Sequence, residues 1–145
     1  MITPSSLHPD AELKELLEGN VLVGTDPIAV YSDWERPTNG LPSDFIVIFI
    51  NGDIETVSKK PQYAQGYMIL SLYCKMNDDG SIKANRVTKI LTQFDALLDH
   101  VTTENYYFEY ESPRFITPTT PNQSSGYSVT SLNLKWHTNN NFKTD

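Results

Sequence analysis

The chain has 145 residues, enough for one domain that buries about 70% of its unfolded surface, so no disulfide or metal is needed to hold it. Its formal charge is −7, unevenly carried: residues 1–60 hold ten acids and four bases, residues 61–145 eight acids and seven bases. No Lys/Arg cluster exists beyond Lys59-Lys60, which argues against ordinary nucleic-acid binding and against docking on an anionic membrane.

Met1 to Asp10 lacks the basic and apolar regions of a secretory signal, so none is expected. Asp10 to Glu18 reads as a short helix. Leu13, Leu16 and Leu17 form its apolar stripe, and Gly19 is placed to cap it. Asn20 to Ala29 is ambiguous, with Val21-Leu22-Val23 either a short strand or a packing segment. Tyr31 to Ser43 is loop-like, broken by Pro37, Asn39-Gly40 and Pro42. Asp44 to Asn51 is a strand, apolar on both faces and therefore central in a sheet. Its Phe45–Ile50 core is the longest apolar run, far short of the ~20 residues a spanning helix needs.

Gly52 to Gln65 reads as a loop or an irregular hairpin arm. Gly66 to Asn77 is a strand with Met68, Leu70, Leu72 and Cys74 on one face and Tyr67, Ile69, Ser71 and Tyr73 on the other. A turn at Asn77-Asp78-Asp79-Gly80 precedes the main helix, which starts near Asn85. There Val87, Ile90, Leu91, Phe94, Leu97, Leu98 and Val101 make one wide stripe. Tyr106 to Glu111 is an aromatic strand, Pro113 to Ser125 a long loop, and Gly126 to His137 the last strand. The apolar parity of that strand changes between Tyr127/Val129 and Leu132/Leu134/Trp136, the mark of a β-bulge or a change of buried face. The expectation is a single domain over residues 1–138 and a polar, disordered tail over 139–145. Its fold class is α+β: a mostly antiparallel four- to five-stranded sheet with one long and one short helix packed on one face.

No catalytic or metal constellation emerges. His8, His100 and His137 lack partners at ligand spacing. Gly19 to Asp26 has phosphate-loop glycine spacing, but Thr25 and Asp26 stand where the lysine and the phosphate should be. Asp78-Asp79-Gly80 does not continue as a calcium loop, and Glu109 and Glu111 read as a solvated strand face. Cys74, the only cysteine, reads as a small buried hydrophobe in a reducing compartment. Enzymatic activity and cofactors are therefore not expected. Aromatic and arginine residues in or beside loops are the better functional signal. Trp34, Arg36, Tyr63, Arg114, Phe115 and Tyr127 are the candidate subunit or partner interface.

The order from Gly66 to His137 is distinctive. Gly66-Tyr67-Met68-Ile69-Leu70-Ser71-Leu72-Tyr73-Cys74-Lys75 leads into Asp79-Gly80-Ser81 and the helix through Arg86 and Phe94. The aromatic strand Tyr106 to Tyr110, a Pro-rich loop and Gly126-Tyr127 through Lys135-Trp136 follow. In this order the chain resembles the tail terminators and neighbouring minor tail or head–tail joining proteins of tailed bacteriophages. The resemblance covers about half the chain, through element order, with no diagnostic motif.

It implies a virion subunit, assembled in the host cytoplasm, that forms a hexameric ring at the head-proximal end of the tail tube. Such a ring stops tube polymerisation and meets the head connector. DNA passes through its lumen unheld, and an acidic wall suits that passage. Other readings are a different joining or minor capsid protein, or a monomeric module that binds a peptide or small ligand.

Overall fold

The computed structural model of the protein describes residues 7–37, 39–50, 55–59, 62–98, 100–110 and 126–139, with backbone alone at 34, 55–59, 62, 63 and 100. Helix α1 spans Pro9–Asn20, with Pro9 in its first turn and Asp10 and Glu12 favouring the dipole there. Leu13 and Leu17 are fully buried and Leu16 packs partly against the core. Gly19 is not the cap. The helix runs through it to Asn20, where the Val21 N–H donates to Leu17 O and the Asn20 amide to Leu16 O. Side-chain and extended-chain bonds thus satisfy the last carbonyls without a left-handed glycine.

The ambiguous segment resolves into a two-stranded ribbon, β1 (Leu22–Val23) and β2 (Asp26–Pro27), turning through Gly24 at φ +65°. Strand β3 (Ala29–Ser32) follows, overlapping the expected loop, and a 3-10 turn at Asp33–Glu35 leads away from it. Strand β3 lies parallel to β4 (Asp44–Ile50), with Ala29 opposite Phe45 and Ser32 opposite Ile48. The inward Ser32 hydroxyl donates to the buried Asp10 carboxylate at 2.9 Å. A polar residue paired inside is invisible to hydrophobic patterning.

The rest of the chain gives β5 (Glu55–Lys59), β6 (Gln62–Lys75), α2 (Ala84–Leu98), β7 (His100–Thr102), β8 (Tyr106–Tyr110) and β9 (Tyr127–Thr138). The main sheet runs β3-β4-β6-β9-β8-β7, with β5 also on β6, and only the β3/β4 pair is parallel. The α+β class therefore holds, as a mixed, curled sheet with two helices. It has seven strands instead of four or five. The additional strands, β3, β5 and β7, have four, five and three residues, too few for a two-residue period to declare itself.

Both helices cover one face. Val87, Ile90, Phe94 and Leu98 of α2 join Leu13 and Leu17 of α1 over Ile46, Leu70, Leu72, Phe108, Leu134 and Trp136. Val101, read as the end of the helical stripe, belongs to β7. Cys74 is a buried core residue, as expected. Strands β6 and β9 pair without interruption from Gln65/His137 to Lys75/Tyr127, so no bulge separates the two parities. The buried face changes instead. Leu132, Leu134 and Trp136 point to the helices, while Tyr127 and Val129 point to the other side. Asn139, assigned to the tail, is part of the fold, its N–H donating to Asn105 O and its amide to Thr103 O. Among the described residues no helix is long and apolar enough to cross a membrane.

Candidate interface on the open face of the sheet

The face away from the helices carries two different surfaces. Toward the β3 side lies an aromatic cluster. Phe45 and Tyr73, directly opposite across β4 and β6, stack with centroids 4.8 Å apart and planes 5° from parallel. Tyr31 meets Phe45 edge-on at 6.0 Å, and Tyr127 meets Phe45 at 5.4 Å and Tyr73 at 6.3 Å. Such offset and edge contacts contribute about 0.5–1.5 kcal/mol each beyond simple burial.

Arg36 lies over this cluster. Its guanidinium sits 5.7 Å from the Tyr73 ring centroid and donates to the Tyr73 hydroxyl at 3.3 Å, with Asp33 at 3.7 Å. The Tyr127 hydroxyl donates to Pro42 O at 2.9 Å, and the Lys75 N–H to Ser43 O at 2.8 Å. Burial, and then the nearby Asp44 carboxylate, push the Tyr127 hydroxyl above its ordinary pKa and keep it a donor.

Of the six interface candidates, the structure brings Arg36 and Tyr127 together around Tyr73, where both pin the 33–43 segment to the sheet. Trp34 lies in the 3-10 turn beside Arg36, and Tyr63 near the start of β6, opposite Ser58. Arg114 and Phe115 lie outside the described residues.

Farther along β6 the same face is open. Tyr67 is 44% exposed and Ile69 41%, two residues apart on one strand face. Phe49 lies opposite Ile69 across β4, while Lys135 and Asn133 lie opposite Tyr67 and Ile69 across β9. Sequence reasoning placed Tyr67 and Ile69 on the face away from Leu70 and Leu72 but did not single them out. The signal was there: an apolar, aromatic second face on a strand whose first face was already filled.

On the helix side, Glu12, Glu15, Leu16, Thr102, Thr103 and Glu104 line an open groove of about 320 Å³. Glu12 is engaged there, accepting from the Asn105 N–H at 3.0 Å and its amide at 2.9 Å. Among the described residues no group of three His, Cys, Asp or Glu is placed to hold a metal ion.

The geometry is that of a surface for contact. No known family model matches the chain, and no curated protein sequence does. A solved structure whose protein carries a sequence designation in place of a descriptive name aligns over 100% of both chains, with a TM-score of 0.57 and 13% identity. At that identity the likeness concerns the fold alone: this arrangement of helices and curled sheet recurs in a second chain.

Proposed function

We propose that the chain is a structural virion subunit, a tail terminator that closes into a ring at the head-proximal end of a phage tail tube. The observation that carries this reading is the exposed Tyr67–Ile69 pair in mid-sheet, on the face without helices. Contiguous apolar surface of this kind marks contact with another macromolecule, whereas scattered single residues do not. The element order that resembles the terminators supports the same reading. So does the charge of −7, which lets DNA pass a lumen wall without adhering. The tail-tube protein and the head connector are the partners this role requires.

The test is to add the purified protein to tail-tube protein of the same virus during polymerisation. Growth should stop, with the protein seen by electron microscopy at one end of each tube. Tubes that lengthen unchecked and carry no protein at either end would overturn the reading.

A further inference from the structure

We propose that copies of this chain join head to tail, the Leu22–Pro27 corner of one seated on the Tyr67–Ile69 face of the next. The inference rests on the ring reading above and names the surfaces that a ring would use.

Leu22 is 42% exposed and sits opposite Pro27, also exposed, across the β1–β2 ribbon, so the two form one apolar corner. The corner is held firmly. The Leu22 N–H donates to the Gln93 side-chain oxygen, and the Gln93 amide donates back to Leu22 O, both at 2.8 Å. Its backbone is thereby locked to α2 with the side chain outward, so little order is lost on docking.

The corner and the open sheet face lie on opposite sides of the molecule, with the helical layer between them. A two-fold contact would have to satisfy both patches at once between the same two copies, which this placement forbids. A heterologous contact uses one patch from each copy and repeats.

The charges match. The segment from α1 to β2 carries Glu12, Glu15, Glu18 and Asp26 besides the buried Asp10, against Lys14 alone. The open face carries Lys75 and Lys135 against Glu109 on its described strands. An acid-rimmed apolar corner therefore faces an apolar surface with a basic excess. Rim charges of this kind set register and approach more than affinity.

The experiment measures particle mass by sedimentation velocity across a concentration series, with circular dichroism as the fold control. Leu22→Asp and Ile69→Asp should each abolish assembly while leaving the fold intact, because both side chains face solvent. Mixed in equal amounts, the two variants should form a dimer and nothing larger, since one retains a working corner and the other a working face. Lys135→Glu should raise the concentration for half-assembly roughly tenfold at physiological salt. Variants with the wild-type mass, or a mixture that stays monomeric, would overturn the proposal. So would a wild type that remains monomeric throughout. The tube-capping experiment decides the tail reading separately, so failure of these surfaces and failure of that role are distinguishable.

Discussion

Replacing Gly66 by alanine tests the packing of the sheet at its tightest point. Gly66 lies opposite Trp136 across β6 and β9, and the indole covers it. A Cβ at Gly66 would stand 2.8 Å from Trp136 Cζ2 and 2.9 Å from Cε2, against an optimum carbon separation of about 3.5–4.0 Å. The ring cannot easily yield. Trp136 is fully buried, packs edge-on against Tyr106 at 5.7 Å, and faces Phe108 across β8.

The backbone is not the obstacle, because the positive-φ glycines are Gly24, Gly40, Gly80 and Gly126. On backbone grounds alone, alanine would stabilise by about 0.4–1 kcal/mol through the unfolded chain. Overpacking costs about 1–3 kcal/mol, so the clash wins and the net loss is about 1–2 kcal/mol. For a chain of this size that is a fall in Tm of about 2–8 °C, with the urea m-value unchanged. In a double-mutant cycle, Trp136→Phe should recover part of the loss, because the smaller ring frees the space. A Gly66→Ala protein that melts at or above the wild-type temperature would refute the argument.

Phe94 is fully buried at the centre of the α2 stripe, so Phe94→Ala should cost about 3–5 kcal/mol by urea denaturation; superimposable curves would show the stripe is not core. The buried Asp44 carboxylate is held by both Nε and Nη2 of Arg86, the Nε bond being 3.0 Å. Arg86→Ala strands that charge and should cost about 1–3 kcal/mol, less than a fully buried pair because the arginine is itself partly solvated. Burial, and then Asp44, push the Cys74 thiol from 9.0 to about 12, and burial likewise pushes the Tyr106 hydroxyl from 10.0 to about 12. Both groups bind their protons more tightly folded than unfolded, so their stabilisation is complete below about pH 9 and is lost as pH rises toward about 12. Urea midpoints should fall across that alkaline window, less steeply in Cys74→Ala.

Long elements were legible in the sequence because their periods repeat often enough to be read. The α2 stripe from Val87 to Leu98 and the alternation from Tyr67 to Cys74 both survive in the structure. Strand β3 was hidden because its four residues offer only two turns of alternation, one of them the polar Ser32. The parity change in β9 was visible, but its cause needed the third dimension. An aromatic cluster assembled from β3, β4 and β6 gives Tyr127 and Val129 something to face. The interface candidates were selected as loop aromatics and arginines, a rule that cannot separate a residue offered to a partner from one fastening its own loop. Arg36 and Tyr127 fasten, while Tyr67 and Ile69, inside a strand, are offered.

The unbroken β6–β9 seam also sets the order in which the molecule can be made. Its paired residues are 52 positions apart at Lys75 and Tyr127 and 72 apart at Gln65 and His137. Contacts at that range are late and slow to form. At ~5–20 residues per second, a ribosome needs about 3–10 s to pass from Lys75 to Tyr127. During that interval β6 has β4 beside it and nothing on its other edge, with Met68, Leu70 and Leu72 prepared for a core that is still incomplete. The nascent subunit is therefore a sticky half-sheet until its final strand emerges. A chain cut before Tyr127 should be held by chaperones or degraded, because the strand that completes the sheet is also nearly the last to be synthesised.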